Sequence, residues 1–307
     1  MLDRLLQPRF PSSAVGIKTG TASVVQLERS RGAFVIKRAA TISLPADVVR
    51  SSFDESNVLD PSGLVAALTE LATSAGLLRQ KKWSVTLPEA SARAAIITIE
   101  TTGGSRREIE EVLEWKIERT FGAPLDELRI GREELAANEQ KQARYLITAV
   151  RAAVLAEYES VFAALGWHTG LMVPRHMGEE QWLANGSGGD GLLLSAHEDG
   201  FTAVLLRNNR PLTLRSVVCD SEECDDELHR LLLFYRDRTG SNDATTSVSR
   251  LLVTGDLLSK QRVAEIAQET LGVTLRPLTP NDVGLTIPGD LPFDLIAAPA
   301  GLARLAW

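Results

Sequence analysis

"VGIKTGTASVVQLE", Val15 to Glu28, sets two apolar runs on either side of a turn made of small residues. Strand-like alternation predicts one strand over Val15 to Thr19, "TGTAS" as the turn and "VVQLERS" as the second strand. "RG" then turns the chain into a third strand, "AFVIKRAATISL". The opening is thus a β-meander, with Gly16, Gly20 and Gly32 where turns or close backbone approach need them. A turn of this kind, with Gly20, Thr21, Ala22 and Ser23 in a row, can aim backbone N–H groups at a phosphate. Lys18 stands just before it.

Working outward, "DPSGLVAALTELATSAGL" reads as a helix, with Asp60 as N-cap, Pro61 at the first helical position and Gly76 near its end. "WSVTLP" follows as a short buried strand. From Arg93 the pattern changes: "ARAAIITIE" is a strand and "RREIEEVLEWKIERTFG" a helix whose Ile109, Leu113, Ile117 and Phe121 share a face, with Val112 beside them. "ARYLITAVR" is another strand. "AAVLAEYESVFAALG" is a second amphipathic helix, with Val154, Tyr158, Val161, Phe162 and Leu165 inward.

The Gly/Ser-rich "LANGSGGDG" is the clearest boundary. Beyond it the meander logic returns: "GLLLSAHED" is a strand and "GFTAVLLRNNRPLTLRSVV" a hairpin turning at "NNRP". A helix, "CDDELHRLLLFYRDRTG", follows with Leu228, Leu231, Leu232 and Tyr235 inward. "SRLLVTGDLL" is a strand into a turn. "SKQRVAEIAQETLG" is a helix burying Val263, Ile266, Ala267 and Leu271, and "FDLIAAPAGLARLAW" a terminal helix. Each half therefore has a strand hairpin, then helices alternating with single strands, a duplicated α/β architecture of two lobes.

The 307 residues, 44 % of them hydrophobic, are enough for two such cores. A net charge of −7 gives no general attraction to nucleic acid or anionic lipid, and the basic clusters "RQKKW" and "SRRE" are too short to reverse that. "MLDRLLQPRFPSS" lacks the apolar core of a secretory signal, and no run of about 18 apolar residues spans a bilayer. Its Leu2, Leu5 and Leu6 share a face, either as a short amphipathic helix or as a frayed terminus. Cys219 and Cys224, the only cysteines, form no disulfide framework. The expectation is a cytoplasmic protein with both thiols reduced.

The order of these segments resembles the actin-like ATPase superfamily and, within it, the PilM family of type IV pilus assembly proteins, over roughly residues 13–307. "VGIKTGTASVVQLE" is similar to that family's first phosphate hairpin. "WSVTLPEASARAAIITIE" with "EEVLEWKIERTFGAPLDEL" is similar to its inserted small subdomain. "YLITAVRAAVLAEYESVFAALGW" resembles the return to the first lobe. "GLLLSAHEDGFTAVLLRNNRPLTLRSVV" resembles the second phosphate hairpin, "ELHRLLLFYRDRTG" the long helix after it, and "RLLVTGDLL" the adenosine turn.

The resemblance implies an actin-like fold of two RNase H-like lobes. It places an N-terminal tail at 1–12 and the first lobe at 13–180, with a small α+β subdomain inserted at about 90–150. The second lobe falls at 190–307. It also implies a cytoplasmic scaffold, peripheral to the inner membrane, that binds the N-terminal tail of PilN, a bitopic inner-membrane protein. Rings or filaments of the chain itself belong to the same picture, as does a homologous place for the GspL protein of type II secretion. No nucleic-acid partner is implied, and contact with the membrane runs only through partners.

For a nucleotide, the superfamily needs carboxylates that order hydrated Mg²⁺ and two glycine-rich turns. The family's acidic residue in the first hairpin matches Lys18, and an ammonium has only donors. Lys18 reads either as a direct phosphate contact in place of the metal's charge or as a solvated strand end. In the second hairpin Ser195 and His197 stand where Asp and Gly are expected, and Glu198 and Asp199 fall one or two residues along the strand. At the third turn Thr254-Gly255-Asp256 keeps one glycine. These departures predict weak or lost ATP hydrolysis; ATP with Mg²⁺, if held, falls to Lys18, Gly20, Thr21, Ala22, Ser23, Gly255 and Asp256. The alternative is a working Mg-ATPase or kinase of this superfamily.

A zinc site from Cys219, Cys224 and His229 lacks a fourth ligand and a usual spacing. His168 and His197 accompany no nucleophile elbow, so no catalytic residue is assigned. For the partner tail, the resemblance points to Ile97, Ile99, Trp115 and Phe121; the same residues also read as plain subdomain core.

Overall fold

The computed structural model describes residues 9–100, 105–138, 140–184, 189–239 and 248–307. Most of the 1–12 tail and the centre of the "LANGSGGDG" boundary lie outside the described residues.

In chain order, β1 (Ser13–Lys18), β2 (Thr21–Ser30) and β3 (Ala33–Ser43) precede α1 (Pro61–Ser74) and β4 (Lys82–Leu87). Then come β5 (Arg93–Ile99), α2 (Arg106–Phe121), β6 (Leu128–Leu135) and β7 (Ala143–Arg151). They are followed by α3 (Ala152–Ala164), β8 (His168–Pro174) and α4 (Arg175–Glu179). Next are β9 (Asp190–His197), β10 (Gly200–Arg207), β11 (Arg210–Val218) and α5 (Cys224–Thr239). The chain ends with β12 (Val248–Thr254), α6 (Lys260–Leu271), β13 (Leu285–Thr286) and α7 (Phe293–Arg304).

The chain forms two compact units: one of the described residues up to Ser91 with Val154–Gln181 and Gly284–Trp307, the other of Ala92–Ala153 with Trp182–Val283. In the first unit a six-stranded sheet runs β13-β3-β2-β1-β4-β8. β1, β2 and β3 pair antiparallel as the meander requires, while β4 lies parallel to β1 and β8 parallel to β4. Ser13 to Ile17 are all buried, so both faces of β1 are covered, as parallel neighbours demand. α7 lies across β1, β2 and β4, and α1 against β2 and β3. The β2–β3 turn puts Arg31 and Gly32 both at positive φ, the geometry that matches strand twist.

The sequence reading places residues 284–307 within a lobe spanning 190–307; here they pack with the strands of the first unit. β13 pairs with β3, and α7 buries Ile296 to Ala303 in the first unit. Its partner is set by long-range packing, which periodicity along the helix does not encode.

The second unit holds two sheets. One runs β11-β10-β9-β12, again an antiparallel meander with a fourth strand parallel to its first. α5 and α6 cover it through Leu228, Leu232, Val263, Ile266 and Ala267. Leu231, Tyr235 and Leu271, read as inward, pack at the core's margin. The other sheet, β5-β7-β6, is wholly antiparallel and carries α2. α2 begins in a reciprocal capping box between Ser105 and Glu108 and ends at Gly122 in the left-handed region. Of its expected face, Leu113, Ile117 and Phe121 are buried, whereas Val112 is exposed.

The two cysteines also differ from expectation: Cys219 and Cys224 are joined as a disulfide, not left as reduced thiols. The Asp220–Glu223 turn between β11 and α5 brings their Cα atoms to 5.6 Å, within disulfide reach. Both sit in the core of the second unit.

Candidate functional site

The first hairpin does build a polar pocket. Lys18, Thr21, Ala22 and Ser23 line it from β1 and β2, with Thr86 from the end of β4, Arg175 from the start of α4, and Asp294 from the first turn of α7. Ser23 Oγ donates to the carbonyl of Leu295 at 2.9 Å, which ties the hairpin to α7. Gly20 occupies the turn itself, at φ 75°. Thr86 Oγ1 is buried with no protein partner. The open volume within this unit is about 10 Å³, room for roughly one water.

Behind the pocket lies a buried charge cluster that the sequence reading missed. Arg175 donates through Nε and Nη2 to Glu179 Oε1 at 3.0 and 2.7 Å, one turn along α4. His176, beside it, shares a short hydrogen bond between Nδ1 and Glu89, whose other oxygen accepts from the His176 backbone N–H at 3.1 Å. All four residues are buried. Burial by itself pulls the Arg175 and His176 pKa values down, but the carboxylates around them win, Glu179 for Arg175 and Glu89 for His176. Both are held above their ordinary values, which keeps the cluster as two ion pairs.

Among the pocket's side chains, two are cations and one, Asp294, is a carboxylate. Lys18 and Arg175 offer donors only, so they suit an anion and not the water shell of Mg²⁺. Among the described residues, no three His, Cys, Asp or Glu side chains converge as a metal site. The residues here therefore do not fit a magnesium-bound nucleotide.

The remaining expected nucleotide residues lie in the second unit. Ser195 is fully buried in β9, with its Oγ unpartnered. Gly255 has φ 82°, and a Cβ there would fall 2.4 Å from the Ala196 carbonyl oxygen. That contact alone requires a glycine. Asp256 is exposed. His229, weighed as a zinc ligand, instead meets Thr270 Oγ1 through Nδ1 at 2.9 Å.

No protein-family profile matches the chain, and no curated protein does. Among solved structures, a chain of the PilM-PilN type IV pilus biogenesis complex aligns at TM-score 0.76 and 18 % identity, over 97 % of this chain and 99 % of that one. The fold is actin-like. A Bacteroides thetaiotaomicron protein with an actin-like ATPase fold and unknown function gives 0.49 at 10 % identity, over 93 % of each chain. The cytoplasmic domain of EpsL, an inner membrane component of the Vibrio cholerae type II secretion system, gives 0.45 at 13 % identity, over 87 % of this chain and 97 % of that one.

On this actin-like frame, the four residues considered for a partner tail divide. Ile97, Ile99 and Phe121 are buried between β5 and α2 at 5, 2 and 2 % exposure. Trp115 is 54 % exposed, with the Arg119 guanidinium over its ring, and Val112 lies one turn away at 42 %. Val112 borders a polar depression shared with Thr98, Glu100, Lys116 and Gln142. Sequence spacing identified the helix but not which apolar residues it leaves outside. Thr86, Arg175 and Asp294 carried one available signal: charged or polar residues directly abutting short apolar strands or a helix start.

Proposed function

We propose that this chain is a PilM-like assembly protein of a type IV pilus, or of a related secretion or competence machine, and that its work is binding. In this reading it is cytoplasmic and peripheral to the inner membrane. It captures the N-terminal cytoplasmic tail of a PilN-like bitopic partner, with weak or lost ATPase activity. The observation that carries the reading is the pairing of Lys18 with Arg175 in the pocket where the superfamily's metal chemistry calls for carboxylates. Likeness along nearly the full length to a chain from a complex that also contains PilN supports the choice of partner.

Trp115 is the proposed anchor. A half-exposed tryptophan beside an exposed valine suits a peptide contact, since buried aromatic anchors dominate such interfaces. The test is titration of the full chain with a synthetic N-terminal tail of the bitopic membrane protein encoded beside it. Saturable binding, weakened at least roughly tenfold by Trp115→Ala, is expected. No binding, or binding indifferent to Trp115→Ala and Val112→Asp alike, overturns the proposed anchor.

A further inference from the structure

The second unit carries a groove that the reading above does not use. It has a volume of about 750 Å³ and lies where β5, β7 and the chain after β6 face β11 and α5. β5 is the outer strand of its sheet and β11 the outer strand of the other, so two strand edges border it. Its floor is apolar, with Ile96, Leu205, Leu212, Leu231 and Phe234 among the lining side chains.

Its charge has one sign. Arg144, Arg207, Arg210 and Arg215 line the groove, and among the described lining residues there is no Asp or Glu. This occurs in a chain whose net charge is −7. Arg207 is already answered by Asp190, at 2.8 Å from Nη2. The other three have no carboxylate partner among the described residues. Arg144 Nη2 donates to the Leu212 carbonyl at 2.6 Å, and the Arg215 guanidinium lies 5.1 Å from the Phe234 ring centre. Burial holds the Arg144 pKa below its ordinary value, a cost that an incoming carboxylate would relieve.

We infer that this groove is a second docking site, for an acidic peptide segment of a partner protein in extended form. Arg210 and Arg215 lie opposite Arg207 and Ala203 across a bulge in β11, so they stand four strand steps, roughly 14 Å, apart on one face. The fitting segment therefore carries two carboxylates four residues apart, on one face of an extended chain, with apolar side chains between them for the floor. A nucleic acid would leave the groove's apolar floor unmatched. Trp115 and Val112 do not line the groove, although the depression beside Val112 shares Thr98, Asn138 and Gln140 with it, and the inference does not depend on the tail-binding reading.

The experiment is to pan a random dodecapeptide phage library on the full chain and measure the winning peptides, fluorescein-labelled, by anisotropy. Enrichment of Asp or Glu flanking Leu, Ile or Phe is expected. The double variant Arg210→Glu/Arg215→Glu is expected to weaken binding at least roughly tenfold, while Arg107→Glu on α2 leaves it unchanged. If the double variant fails to fold, Arg215→Gln replaces it, with a loss of about threefold expected. Failure to enrich any peptide, winners without acidic residues, or full affinity in the charge-reversed chain overturns the proposal. So does tighter Arg210- and Arg215-dependent binding of phosphatidylglycerol vesicles or of an oligodeoxythymidine.

Discussion

Two sheets of this molecule share a strand order, a meander with a fourth strand parallel to the first, and yet their first hairpins close in opposite ways. Between β1 and β2, Gly20 sits at φ 75° with nothing within 4 Å of where a Cβ would point. Between β9 and β10, Gly200 sits at φ 138°, and a Cβ would lie 2.0 Å from the Val217 carbonyl oxygen and 3.0 Å from the Cys219 nitrogen. The first turn is open and borders a pocket; the second is folded onto its own neighbouring strand. A shared topology thus leaves a polar pocket beside one hairpin and packs backbone against the other. The pocket beside the open turn is lined by Lys18, Arg175 and Asp294, two cations and one carboxylate.

The buried charges divide in the same manner. The first unit hides Glu89, Arg175, His176 and Glu179 behind its pocket, whereas the second leaves its Arg207–Asp190 pair at a groove rim. The greatest loss is therefore expected from Glu179→Gln, which strands a fully buried guanidinium. About 3 kcal/mol or more is expected in denaturant unfolding, against a far smaller cost for Arg262→Gln at the exposed pair with Asp225. Equal costs would erase the contrast between the units. Next, Gly200→Ala is expected to cost roughly 3 kcal/mol and Gly20→Ala about 1 kcal/mol, measured in the same way, because only the first must move backbone atoms.

The third expectation concerns pH. His176 is held above its ordinary pKa because the charge and hydrogen bond of Glu89 outweigh burial. Its contribution to stability is therefore complete below the unfolded value of about 6.5 and is lost as pH rises through the raised folded value. Unfolding midpoints are expected to fall over that window in the native chain and to flatten in His176→Gln. A midpoint that rises instead would mean that His176 is buried neutral. The smallest effect is expected for Trp115→Ala, within about 0.5 kcal/mol in stability, since the ring is exposed. A larger loss would make Trp115 part of the core.

Much of this was legible in the chain. The two meanders announce themselves because apolar alternation and turn residues coincide: Arg31-Gly32 and Asn208-Asn209 are the observed positive-φ turns. α2 was readable from its buried Leu113, Ile117 and Phe121. β6 was not read, because Leu128 and Leu135 are its only buried residues and exposed charges fill the strand between them. α4 spans five residues, too few for a helical period to show. Its His176 pair depends on a partner, Glu89, that lies 87 positions away in sequence, while Arg175–Glu179 is one turn apart. The Cys219–Cys224 bond depends on the conformation of a turn, and the seat of α7 on contacts with strands at the other end of the chain. Local pattern does not reach the Glu89 pair or the seat of α7, since both are products of tertiary packing.

The most direct measurement is calorimetric titration of the intact chain with Mg-ATP, repeated in Lys18→Asp/Ser195→Asp. With Lys18 and Arg175 in place, no saturable heat up to about 1 mM nucleotide and no phosphate release are expected, a dissociation constant weaker than about −4 kcal/mol of binding. A submicromolar constant with measurable hydrolysis in the unmodified chain would contradict the reading of this protein as a binder that has given up its metal chemistry.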